Sequence, residues 1–137
     1  MPVKIMVVDD EEDLRRILRG ILEPFGQVCE AADGEEALRL LRREKPALMF
    51  LDVAMPGLDG LTVLRRALSA LPSLAVVMLT GELDLRVARA ALEVGARAYI
   101  TKPFSPEAVS AEALRMAEGG PVARSPDEPP WRVVGRP

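Results

Sequence analysis

The sequence runs to 137 residues, 49% of them hydrophobic, which suits one domain built on a single core. Its 18 basic and 21 acidic residues leave a net charge of −3, the wrong sign for a nucleic-acid-binding surface, and the lack of any histidine excludes a His-based zinc site, a histidine-containing catalytic triad and a phosphohistidine carried by this chain itself. One cysteine, Cys29, closes the disulfide-framework reading; the N-terminus turns acidic too soon for a signal peptide, and no apolar run approaches the roughly 18 residues of a spanning helix, so a cytoplasmic protein without membrane contact is expected.

The first apolar run, VKIMVV (3 to 8), reads as a strand and is followed at once by Asp9 and Asp10. Leu14, Ile17, Leu18, Ile21 and Leu22 then fall on one helical stripe. QVCEA (27 to 31) predicts a second strand and residues 34 to 44 a second helix. ALMFL (47 to 51) predicts a third strand that runs straight into Asp52, and Leu61, Leu64, Leu68 and Leu71 mark the helix after it. AVVML (75 to 79) leads to Thr80 and a helix over 84 to 94; ARAYI (96 to 100) leads to Lys102 and a helix over 105 to 118, where Ser105-Pro106-Glu107 gives a start signal.

Strands alternating with helices across short loops imply parallel pairing and right-handed crossovers, hence an α/β, three-layer, doubly wound (βα)5 fold over residues 1–118. The usual order for five such strands is 2-1-3-4-5. Residues 119–137, GGPVARSPDEPPWRVVGRP, show no period and are rich in proline and glycine; they read as a disordered tail, with Trp131 and the two valines able to dock, and not as an output domain.

In an open parallel sheet, ligands bind beyond the carboxyl ends of the strands. There the sequence puts Asp9 and Asp10, Asp52, Thr80 and Lys102, and strand order 2-1-3-4-5 makes the first and third strands neighbours, so the three carboxylates share a rim. Three carboxylates need compensation: a hard divalent cation such as Mg²⁺ suits oxygen ligands of this kind, and Lys102 adds a point charge. Taken singly, Asp9 or Asp10 reads as a helix cap, Thr80 as a turn residue and Lys102 as a solvated lysine. Those readings would have to put all of these residues on one rim by accident.

The stretches VVDDEEDLRRIL, LMFLDVAMPGLDG, VVMLTGE and GARAYITKPF, in this order, make residues 3 to about 117 resemble the receiver domain of two-component response regulators, the CheY-like family with its flavodoxin-like fold. The resemblance implies that Asp52 is the phospho-acceptor, Asp10 a direct Mg²⁺ ligand, Asp9 a ligand acting mainly through water, and the main-chain carbonyl of Ala54 a further ligand. It implies that Thr80 is the switch hydroxyl, Tyr99 the switch aromatic and Lys102 the phosphate-binding lysine, with a cis Lys102-Pro103 bond. The donor would be a histidine kinase or a histidine phosphotransfer protein. Phosphorylation would draw Thr80 toward the phosphoryl group and let Tyr99 turn inward, changing the face of helix four, strand five and helix five toward a downstream protein target, with the molecule a monomer or a phosphorylation-dependent dimer.

The sequence thus reads as a stand-alone response regulator and not as an enzyme. A phosphorylation-independent interaction module stands as the alternative. An aspartyl-phosphate hydrolase stands further off, because such enzymes commonly carry a second Asp where Ala54 lies. Ala54 and Glu82 occupy places where the family tunes phosphoryl lifetime, and Arg97-Ala98 replaces the acidic pair seen in many regulators with a winged-helix output. The glycines of the loop Met55-Pro56-Gly57 and Asp59-Gly60 are expected to supply positive φ, and Gly81 room beside a phosphoryl oxygen.

Overall fold

A strand covered by helices on both faces needs apolar side chains at every position, and every residue of Leu48–Asp52 is buried. In the computed structural model, which describes residues 3–81, 84–117 and 132–134, this segment is the third strand, β3. The chain runs β1 (Val3–Val8), α1 (Glu12–Leu22), β2 (Gly26–Ala31), α2 (Gly34–Glu44), β3 (Leu48–Asp52), α3 (Gly60–Ala70), β4 (Ala75–Thr80), α4 (Leu85–Val94), β5 (Ala98–Thr101), α5 (Pro106–Ala117) and β6 (Arg132–Val134). A short 3-10 turn, Glu23–Phe25, links α1 to β2 around Pro24.

The sheet is parallel throughout, in the order β2-β1-β3-β4-β5-β6. Successive side chains of a strand point to opposite faces, and here they fill two separate cores. Met6, Val8, Met49, Leu51, Val76, Met78 and Tyr99 pack with α2, α3 and α4, whereas Ile5, Val7, Leu48, Phe50, Val77, Leu79 and Ile100 pack with α1 and α5. The expected five-strand order and three-layer architecture are present, with β2 on the edge.

One segment differs from the sequence reading. Arg132–Val134, within the stretch read as tail, forms a sixth strand parallel to β5. Three residues are too short to show a period, and their proline- and glycine-rich surroundings hide them; what they find is the outer edge of β5, whose backbone groups need partners. The rest of the tail, including Trp131, lies outside the described residues, as does Glu82.

Helix starts follow capping chemistry. Asp33, Asp59 and Asp84 accept hydrogen bonds from the backbone N–H groups of Glu36, Thr62 and Arg86, which begins α2, α3 and α4. Behind α5, Glu112 is only 1% exposed and is held by Arg115 Nη1 at 3.0 Å and Arg97 Nε at 3.8 Å. Arg97, the departure from the acidic pair, is therefore turned into the molecule.

Phe50 is fully buried in the core beneath α1 and α5, so Phe50→Ala is expected to cost about 3–5 kcal/mol of unfolding free energy, measured by urea denaturation. Leu85→Ala, at an exposed position, should stay within about 0.5 kcal/mol.

Candidate functional site

The sheet delivers the polar residues to one rim. Asp9 follows β1, and its N–H extends the ladder to the Ala31 carbonyl at 3.2 Å. Asp52 closes β3, paired with Leu79, so Thr80 lies one residue further along β4, and Lys102 follows Thr101, the partner of Thr80 on β5. The Lys102 N–H donates to the Thr80 carbonyl at 2.6 Å, and the Lys102–Pro103 peptide is cis.

Lys102 Nζ reaches Asp9 Oδ2 at 3.1 Å and Asp52 Oδ2 at 3.4 Å. Asp9 is fully buried and Asp52 only 4% exposed, so this one ammonium compensates two carboxylates that would otherwise be costly to bury. The other oxygens are occupied by backbone donors: Asp9 Oδ1 accepts from Glu11 N–H at 2.9 Å, and Asp52 Oδ1 from Ala54 N–H at 3.0 Å. Asp10 is exposed at the mouth. The helix-cap reading does not hold for Asp9 or Asp10, since the N-cap of α1 is Glu11, without a side-chain hydrogen bond.

Burial pushes the Asp52 carboxyl above its usual 3.8, and the charge of Asp9 adds to this; the Ala54 N–H and Lys102 only partly offset it. Burial alone would lower Lys102, but its hydrogen bond to Asp9 and the charges of Asp52 and Asp9 outweigh it and raise the ammonium above 10.5. Lys102 therefore stays protonated.

Carboxylate oxygens of Asp9, Asp10 and Asp52 can lie within 4.8 Å of one another. The set is all oxygen and carries three negative charges against one lysine. These residues fit a hard divalent cation such as Mg²⁺, which is usually held by one or two carboxylates with the remaining positions left to water or phosphate.

Tyr99 lies inward, 1% exposed, in the core beneath α4, on the same sheet face as Thr80. Burial raises its hydroxyl above 10.0, and a hydrogen bond with the Thr80 side chain works in the opposite direction.

The glycines divide by reason. Gly57 has φ +90°, the left-handed backbone expected of it. Gly60 is required by proximity instead, since a Cβ there would meet the Val53 Cα at 2.9 Å. Beside Gly81 the space is open: nothing stands within 4 Å of where its Cβ would be.

The sequence reading missed Arg15. Its Nη1 donates to the Asp9 carbonyl at 2.6 Å while its Nε meets Glu30 Oε1 at 3.2 Å, clamping the end of β1 to β2. In an arginine-rich chain nothing local marks this residue.

A family model described as the response regulator receiver domain matches residues 5–114. Among curated relatives, a probable transcriptional regulator ycf27 of Porphyridium aerugineum is 46% identical over 109 residues, covering 79% of this chain and 45% of its own length. The alkaline phosphatase synthesis transcriptional regulatory protein PhoP of Bacillus subtilis (strain 168) is 40% identical over 129 residues, covering 93% of this chain and 54% of its own. The chain thus spans about half the length of these relatives. Among solved structures, the BeF3-activated DrrB receiver domain matches with TM-score 0.80 at 32% identity, over 86% of this chain and 99% of that one. A CheY-like receiver domain protein of Methanospirillum hungatei JF-1 matches with TM-score 0.82 at 28% identity, over 86% and 95%.

Since burial raises the Asp52 pKa, its ionised form costs folding stability above that raised value, and the cost disappears as the pH falls through it. In metal-free buffer, Asp52→Asn is expected to raise Tm by a few degrees at pH 7, with a smaller gain at pH 4, followed by circular dichroism.

Proposed function

Because the chain belongs to the response regulator receiver domain family, we propose that Asp52 accepts a phosphoryl group from a phosphohistidine donor protein and that the product switches the face of α4, β5 and α5 toward a protein partner. The observation that carries this reading is the single lysine held between two buried aspartates at the carboxyl end of the sheet. In this reading Asp9, Asp10, Asp52 and the Ala54 carbonyl hold Mg²⁺, which when bound supplies positive charge for the phosphoryl oxygens.

A carboxylate oxygen of Asp52 attacks phosphorus, the P–N bond to the donor imidazole breaks, and the electron pair leaves with that imidazole, which takes up a proton. An acyl phosphate forms at Asp52. Lys102, already protonated, donates from Nζ to a phosphoryl oxygen, and the open space at Gly81 leaves room for that group. Thr80 Oγ1 gains a new acceptor, and its hydrogen bond with Tyr99 carries the change to β5.

A protein donor is supported by the groove beside Lys102, about 460 Å³ in volume and lined by Leu14, Ile17, Pro103, Phe104 and Pro106. It is mostly apolar and continuous with the acceptor rim, as a docking site for the donor should be. The same reading sets the reaction in the cytoplasm. The names of the relatives support transcriptional control as the downstream output, reached through a protein and not by this acidic unit binding nucleic acid itself.

Incubation with acetyl phosphate and MgCl₂ should add one phosphoryl group by intact mass, and none to Asp52→Asn or in excess EDTA. Lys102→Met should slow the labelling by about 100-fold or more. An equal adduct on Asp52→Asn would overturn the acceptor assignment, and multiple-turnover release of phosphate from small esters would point to a hydrolase instead.

A further inference from the structure

β5 would be the edge of the sheet if the chain ended its pairing there. An edge strand exposes a row of unpaired N–H and C=O groups that invites another strand. Here that edge is taken by the same molecule: Ala98, Tyr99 and Ile100 are in register with Arg132, Val133 and Val134. The connecting residues 118–131 could span about 45 Å when extended, ample to pass back along α5, whose own length is about 18 Å.

Tyr99 sits at the middle of this pairing. It is flanked in the sheet by Met78 on β4 and Val133 on β6, is only 1% exposed, and shares a hydrogen bond with Thr80 at the acceptor rim. The segment therefore pairs with β5 in the conformation that has Tyr99 inward.

We propose that Arg132–Val134 is a built-in occupant of the β5 edge and that its pairing is coupled to phosphorylation of Asp52, each favouring the other. The coupling rests on the phospho-acceptor reading above: the modification that draws Thr80 and keeps Tyr99 inward also favours the β5 geometry that the strand recognises. By linkage, docking of the strand then favours the phosphorylated state by the same factor. A partner that needs the β5 edge must displace the strand, and one that reads the closed edge finds it completed on phosphorylation.

The test is hydrogen exchange by mass spectrometry on the full chain, comparing wild type with Val133→Pro/Val134→Pro. Alternate residues of a strand donate toward the same neighbour, so of two adjacent residues one faces β5, and the double substitution must remove a donor. In wild type the peptide covering 98–101 should exchange more slowly than in the variant, and phosphorylation should slow exchange at 132–134 by about fivefold or more. Peptides from β1 and β3 control for folding; should the proline pair unfold the chain, Val133→Pro and Val134→Pro made singly give the same comparison, since one of the two removes the donor that faces β5.

Equal exchange at 98–101 in the two proteins would overturn the closed edge. Unchanged exchange at 132–134 in a sample shown by intact mass to be phosphorylated would overturn the coupling. Protection that appears only with a dimer in light scattering would assign the pairing to a second copy and overturn the intramolecular strand. If no phosphoryl adduct forms, the acceptor reading is what fails, and the unphosphorylated comparison still decides whether the edge is closed.

Discussion

The rim of this sheet is organised by one ammonium group shared between two buried carboxylates. Without Lys102, Asp9 and Asp52 would stand side by side in a place that water barely reaches, and burying even one unpaired charge costs several kcal/mol. With it, both have a cationic partner, yet the charges do not balance: Asp10 adds a third carboxylate at the mouth, and Arg15, beside the end of β1, is committed to a backbone carbonyl and to Glu30. The fold has thus built a pocket that is stable and still deficient in positive charge. A divalent cation such as Mg²⁺ suits that deficit.

Most of this is legible in the amino-acid sequence, for a physical reason. Parallel strands buried on both faces cannot hide a charge, so an aspartate after ALMFL or a lysine shortly after ARAYI stands out against its apolar neighbours, and the topology puts all such strand ends on one side. Arg15 was not legible because its role is set by where the end of β1 passes, not by its own spacing. Gly60 was marked as a turn glycine, whereas its hydrogen is required by the backbone at Val53. β6 was hidden because three residues carry no periodicity, and only the neighbouring edge gives them a structure.

Arg97 shows how a departure from a pattern acquires meaning in three dimensions. Where the family resemblance led an acidic pair to be expected, this chain places a guanidinium that turns inward to Glu112, which Arg115 also holds. Breaking a buried pair of this kind by removing one partner typically costs about 3–5 kcal/mol, because the other charge is left behind. β5 is thereby tied to α5 at its start and to the acceptor rim at its end, with Tyr99 between the two attachments.

β3 feeds two cores at once: Met49 and Leu51 belong to one, Leu48 and Phe50 to the other, and Asp52 comes next. Many apolar exchanges along it preserve that arrangement, but losing or gaining one residue would swap the two sets of side chains and turn Asp52 to the opposite face. In this strand composition is negotiable while length is not. The position of the carboxylate is fixed by counting from the core, so the chemistry at the rim inherits its precision from residues that never touch it.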